Sequence, residues 1–419
     1  MDFSLSKEQE MLKKEARDFL TKECPEEFVR EIEKGKEGYS APLWRKIAEL
    51  GWLGIAFPEK YGGIGSNVLD LAVIYEEMGK AMFPSPHLST VVLCGLTVLG
   101  AGSEAQKAEL LPKIAEGKLI LALALTEPEA AWGDDVWDAH SVQLAATAQG
   151  GDYVLSGTKL FVHDAAIADK ILCVARTRAN GKPEEGITLF LVDAKSPGVT
   201  CTLLKTTAGD KQCEVVFDKV RVTQKDMVGP LNGGWAPLFR SIQVGAVMLC
   251  AQMVGAGQEI VKLAVNYAKT RVQFDAPIGV NQYVQEHCTN LAALVEACKF
   301  VTYQAAWRLS ENLPADFEVA AAKAWCSDAF EDACWSAHQV LAGYGYTSKD
   351  GVLPLYSRRG KMQQLYLGTS AYWRTKVAPV FDDWTLERPR GKALGLWSKA
   401  PDEEVPAWEV WKPEDLLEV

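Results

Sequence analysis

The period of hydrophobic and polar positions changes twice along the chain. In "FSLSKEQEMLKKEARDFL", Met11, Ala16, Phe19 and Leu20 fall roughly on one helical face, with Ser6 placed as N-cap and Glu8 and Gln9 in the first turn. "APLWRKIAELGWLGIAFPEKYGGIGSN" reads as a short helix followed by a loop punctuated by Gly and Pro. "VLDLAVIYEEMGKAMF" and "SEAQKAELLPKIAEGKL" read as further helices. The period then shortens to two. "SVQLAATAQGGDYVLSGTKLFV" predicts two strands joined by a Gly-Gly turn, and "KILCVART", "ITLFLVDA" and "CEVVFDKVRV" predict more. After "GPLNGGW" the helical period returns in two long segments, "FRSIQVGAVMLCAQMVGAGQEIVKLAVNYAKTR" and "NQYVQEHCTNLAALVEACKFVTYQAAWRLSEN". The second carries Leu291, Leu294, Cys298, Val301 and Ala305 as one apolar stripe. Two more helices are predicted over residues 316–341 and 357–380.

The order helical, β, helical predicts an α+β chain. The expected divisions are an N-terminal helical domain over 1–120, a β domain over 121–230, a second helical domain over 231–380 and a tail over 381–419. The tail sets Trp384, Trp397, Trp408 and Trp411 among prolines and acids, so it either packs on its own domain or clasps another subunit.

Composition narrows the function. The chain has 419 residues, 48% hydrophobic and 24% charged, as expected of a globular protein of two or three domains. A net charge of −11 without a basic stripe argues against a nucleic-acid partner. The ten cysteines include no CxxC pair and read as mostly buried free thiols in a reducing cytoplasm. No signal peptide is read before the first helix, and no apolar run is read as long enough to span a bilayer. "GGIGSN" follows a loop rather than a strand, which makes it a poor dinucleotide fingerprint, and neither HExxH nor GxSxG occurs.

Five segments, in order, then resemble the acyl-CoA dehydrogenase family: "LGWLGIAFPEKYGGIGSN", "ALTEP", "EVVFDKVRV…MVG", "YAKTRVQFDAPIG" and "QVLAGYGYT". Each alone is a weak match; together they cover about residues 3 to 380. The resemblance implies an N-terminal helical domain, a middle β-barrel-like or sandwich domain and a C-terminal four-helix bundle. It also implies tetramers built as pairs of dimers, with FAD between the β domain of one subunit and the bundle of its neighbour, an acyl-CoA thioester against the flavin, and an electron-transfer flavoprotein or similar acceptor.

The implied chemistry removes a proton from Cα and a hydride from Cβ, and the proton needs a positioned base. In many members that base is a glutamate at the place Leu367 takes in "LYLGTS"; in others it lies at the place Gly245 takes, so the catalytic base is left unassigned. Resemblance assigns Leu125, Thr126, Phe161 and His163 to the chain's own flavin, and Arg271, Phe274, Gln339 and Gly343, with Thr369 kept beside them, to a neighbour's. His163 reads either as a flavin N5 donor and candidate base or as a strand histidine; His87 is a second candidate and Tyr366 a poor base. Trp132 after the Thr-Glu-Pro segment, Asp275 and Ala342 for usual glycines, and Ala371 for a usual glutamine depart from the family. The expected function is the base-lacking partner in a heteromeric α2β2 enzyme for a bulky acyl-CoA. The alternatives are a self-sufficient dehydrogenase with a non-standard base, or a flavin-free CoA-ester-binding scaffold.

Overall fold

The computed structural model describes residues 4–130, 137–346 and 351–378. Trp132 and the four tail tryptophans lie outside the described residues. Lys376 ends one compact unit, which holds all the elements described below up to the last helix.

Helix α1 (Lys7–Glu23) starts at Ser6, whose hydroxyl and main-chain N–H exchange bonds with Gln9 in a capping box. Of its expected apolar face, Ala16 and Leu20 are buried and Met11 is 59% exposed. Helices α2 (Glu26–Lys34), α3 (Ala41–Glu49) and α4 (Val68–Lys80) follow. A π-helical stretch over Leu88–Gly95 then runs into α5 (Leu96–Ala101), and α6 (Glu104–Ala115) closes the N-terminal part. The sequence reading missed α2 and the 88–101 segment; the second is apolar nearly throughout, so it shows no helical face.

The strands are β1 (Leu121–Ala124), β2 (Ala145–Gln149), β3 (Asp152–His163), β4 (Lys170–Arg176), β5 (Ile187–Asp193), β6 (Val199–Leu203), β7 (Gln212–Val222) and β8 (Met227–Val228). They form one sheet in the order β6-β7-β3-β2-β4-β5-β8, with β1 parallel to β4. The Gly-Gly turn joins β2 to β3 as expected. β1, β6 and β8 were not foreseen, because a four-residue apolar run, an exposed run and a two-residue strand carry no alternation.

Helix α7 (Trp235–Thr270) leads through a small ribbon, β9 (Val272–Gln273) and β10 (Ala276–Pro277), to α8 (Gln282–Ser310) and α9 (Asp316–Leu341). The short α10 (Gly343–Tyr346), then α11 (Val352–Leu365) and α12 (Ser370–Val377), complete the described fold. α7 corrects one expectation, since by length and composition it could cross a bilayer; 78% of its most apolar stretch is buried against the rest of the protein. On α8 the fully buried stripe runs through Leu291, Val295, Cys298, Thr302, Ala305 and Leu309, while Leu294 and Val301 are half-buried. The single helix expected over 357–380 is two helices, broken at Tyr366–Thr369. α4 and α7 meet backbone to backbone: a Cβ on Gly255 would lie 1.8 Å from the Glu76 carbonyl oxygen. That approach brings Gln252 of α7 against the α4 side of the site described below.

Candidate active site

The site begins with an irregularity in β3. Lys159 pairs with Val215 but Val162 pairs with Cys213, so two residues on β3 face one on β7. This bulge gives Phe161 a φ of 54° and leaves it 40% exposed, whereas Val162 and His163 stay buried. The segment after β1 runs alongside. Thr126 accepts the Leu160 N–H at its carbonyl at 2.9 Å and donates its hydroxyl to the Leu160 carbonyl. Lys159, fully buried, donates to the Leu125 carbonyl at 3.0 Å and to Glu127 at 2.6 Å. Glu127 also accepts the main-chain N–H groups of Gln143 and Leu144. The structure thus brings Leu125, Thr126, Phe161 and His163 together.

Tyr366 joins this cluster from the bundle, its ring centroid 3.8 Å from that of His163. Three residues on, Thr369 accepts the Tyr372 N–H at its hydroxyl and starts α12. Between them Leu367 is fully buried with a φ of 60°, a left-handed conformation costly for a branched residue. The loop is held by Lys323, fully buried, whose ammonium donates to the carbonyls of Gln364 at 2.8 Å and Gly368 at 3.1 Å and to the Ser327 hydroxyl. Trp373 donates to the Leu367 carbonyl at 2.9 Å. Burial draws the Lys323 pKa down to about 8.

Leu367 and Gly245 prove to be neighbours. A Cβ on Gly245 would lie 2.7 Å from Leu367 Cδ1 and 2.9 Å from Leu93 Cδ2. The two positions where a glutamate was sought are one apolar pack. Gly245→Ala should therefore lower stability by about 1–3 kcal/mol from overpacking, less up to about 1 kcal/mol regained in helix propensity. In a Leu367→Ala background the same change should be neutral or stabilising; equal effects in both backgrounds, measured by urea denaturation, would show the contact to be unimportant.

The histidines differ from each other. His87 uses both ring nitrogens, with the Tyr75 hydroxyl at 2.8 Å from Nδ1 and the Trp52 carbonyl at 3.1 Å from Nε2, and burial lowers its pKa to about 4. It is a satisfied interior histidine rather than a base. His163 lies 3.4 Å from Asp210 Oδ2; burial lowers its pKa and the Asp210 charge opposes. Burial raises Tyr366 well above the phenol range, so it cannot act as a base at neutral pH.

The residue that sequence reasoning missed is Asp164. Its φ of 60° ends β3, its N–H donates to the Lys211 carbonyl at 3.0 Å, and its Oδ2 accepts the Ser89 hydroxyl at 2.5 Å. Burial lifts its pKa to about 7; the Ser89 hydrogen bond opposes this and the Asp210 charge adds to it. Asp164, His163, Ser89, Tyr366 and Leu88 line a cavity of about 80 Å³ that continues to Gln252 and Gln363 and, at its far end, to Glu33, Arg359 and Lys211. Glu33 ties Arg358 and Arg359 together at 2.7 and 2.9 Å.

The other expected residues lie apart. Gly245 and Arg271 are twenty-six residues apart along α7 and its C-cap, about 39 Å at helical rise. Arg271, Gln339 and Gly343 are exposed and Phe274 is 99% exposed. Stacking of Tyr267 on Tyr344, centroids 5.5 Å apart, joins the ends that carry Arg271 and Gly343. Two groups of residues therefore face outward separately, an aromatic and main-chain edge near Phe161 and an exposed guanidinium suited to pyrophosphate at Arg271. These are the residues that the resemblance assigns to FAD, and their chemistry suits the ring and pyrophosphate of a flavin dinucleotide.

Comparison with known proteins agrees with this geometry. Family profiles described as the acyl-CoA dehydrogenase N-terminal, middle and C-terminal domains match residues 6–118, 122–220 and 232–380. The chain is 32% identical to the 3-(aryl)acrylate reductase of Clostridium sporogenes over 89% of this chain and 98% of that one. It is 31% identical to the caffeyl-CoA reductase-Etf complex subunit CarC of Acetobacterium woodii, over 87% and 96%. The butyryl-CoA dehydrogenase structure from Megasphaera elsdenii superposes with a TM-score of 0.83 at 29% identity, covering 91% of this chain and 100% of that one. FAD is the cofactor these similarities indicate. Across all three of its domains, and despite the leucine and glycine where a glutamate was sought, this chain belongs to the acyl-CoA dehydrogenase family.

Proposed function

We propose that this chain is an FAD-dependent acyl-CoA oxidoreductase in which Asp164, rather than a glutamate at Leu367 or Gly245, exchanges the substrate proton. One observation carries the reading: a carboxyl held near pH 7 lines a cavity beside Tyr366, and a desolvated carboxyl near the working pH suits proton transfer at carbon. FAD, when bound, supplies the two-electron chemistry. Thr126, Phe161 and His163 would hold its ring end, with Leu125 and Thr369 shaping the wall, while Arg271, Phe274, Gln339 and Gly343 would serve a neighbouring subunit. Ser89 fixes the orientation of the Asp164 carboxyl. Relatives named for reducing aryl acrylates and caffeyl-CoA favour a bulky acyl group. The Etf complex of one of them favours an electron-transfer flavoprotein as redox partner.

A second reading is favoured by the Leu367–Gly245 pack: the chain is the base-lacking partner in a heteromeric α2β2 enzyme and lends its Arg271 end to a homologous chain. The visible spectrum of the protein made alone separates the two. Flavin absorbance that an acyl-CoA bleaches supports the first. A colourless protein that turns yellow and active only with a homologous chain supports the second. The flavin-free scaffold is not carried forward, because the family's cofactor is FAD.

A further inference from the structure

The cavity contains a polar group whose hydrogen bonding is incomplete. Gln363 is 8% exposed and lines the cavity; its Nε2 donates to Gln252 Oε1 at 3.2 Å, and its Oε1 finds no hydrogen-bond partner among the described residues. A buried amide oxygen left without a donor costs about 1–3 kcal/mol. A saturated hydrocarbon chain filling this cavity would leave that deficit in place and exclude the water that could relieve it.

From this, and resting on the acyl-CoA reading above, we propose that the acyl group this enzyme accepts carries a neutral hydroxyl that bonds the Gln363 amide.

The other walls argue for neutrality. Glu33, Asp164 and Asp210 oppose an added carboxylate there, while Arg359 and Lys211 oppose an added ammonium. Glu33 is already bound by two arginines, so the ionic end of the cavity has its own partners. A hydroxyl both donates and accepts, so it satisfies the amide whichever way its oxygen and nitrogen are placed. It also reproduces the bonds of the water it displaces. Met78, Met82, Phe83 and Ala256 line the same space, so the rest of the acyl group stays apolar. A site built around one hydrogen bond discriminates strongly against the analogue that lacks it.

The test compares isosteric pairs on the purified flavoprotein: ω-hydroxyacyl-CoAs of four to eight carbons, each against the unsubstituted acyl-CoA one carbon longer. Both kcat/KM and the calorimetric Kd are measured. The wild type should favour the hydroxylated member of at least one pair by about tenfold or more, which corresponds to about 1.4 kcal/mol. Gln363→Leu should erase or invert that ratio, and the ratio is insensitive to a general loss of folded enzyme. Equal or better use of the unsubstituted member in every pair, or a ratio unmoved by Gln363→Leu, overturns the proposal while leaving the acyl-CoA reading intact. Failure of every acyl-CoA to bind overturns both.

Discussion

Asp164→Asn is expected to lower turnover by about 10²- to 10⁴-fold, the usual contribution of a positioned proton-transfer group. Asparagine keeps an oxygen for the Ser89 hydroxyl, so the cavity wall is preserved and the loss reports on the proton. In the wild type the dehydrogenation direction needs the carboxylate, and its rate should rise with pH through about 7. The reductive direction needs the protonated acid and should fall through the same range. Both profiles should flatten in the variant. Stability should move the other way from activity. A carboxyl whose folded pKa is raised from its ordinary value of 3.8 to about 7 binds its proton more tightly in the folded state. The wild type therefore loses stability as pH rises through that window and carries the full penalty above it. Asp164→Asn should keep or raise Tm at pH 8 and change little at pH 4. Unchanged pH profiles in the variant would remove Asp164 from the chemistry.

Glu127→Ala is expected to be among the most damaging substitutions to the fold, by about 3–5 kcal/mol, because it leaves the Lys159 ammonium buried without its carboxylate. It also strips the acceptor from the N–H groups of Gln143 and Leu144. The damage should reach the cofactor, since Lys159 also holds the Leu125 carbonyl and lies two residues from Phe161 at the bulge. Flavin retained per folded protein should fall with stability. Glu127→Leu combined with Lys159→Met should recover much of the lost stability, because no unpaired charge remains. Two single changes that simply add, in a denaturant-based cycle, would show that the pair is not coupled.

The sequence was informative where structure is periodic or locally encoded. The capping box at Ser6 and Gln9, the Gly-Gly hairpin before β3 and the long helices α7, α8 and α9 all follow from nearest neighbours in sequence. The break at Tyr366–Thr369 was not visible, because it depends on Lys323, more than forty residues earlier, reaching two carbonyls of the loop. The candidate site was legible only where its residues fall in ordered segments. Leu125, Thr126, Phe161 and His163, named from ordered segments, lie together in the structure. Asp164 directly follows that run, yet its position depends on a positive φ where β3 stops pairing, for which an aspartate is a weak signal. Gln363 gave no signal at all; its meaning rests on an amide oxygen left without a donor among the described residues. The neighbourhood of Gly245 and Leu367 is likewise a tertiary fact, joining positions more than 120 residues apart in the chain.

That neighbourhood makes a carboxylate hard to install at either position. With Leu367 in place, any side chain at position 245 meets its methyl group before reaching the pocket. A glutamate at 367 would in turn be fully buried against Gly245 and dehydrated there. Placing a carboxylate on α7 requires the loop leucine to shrink first, a step that by itself opens a cavity and brings no chemistry. Each single change toward a carboxylate is uphill, so the two residues hold each other in place.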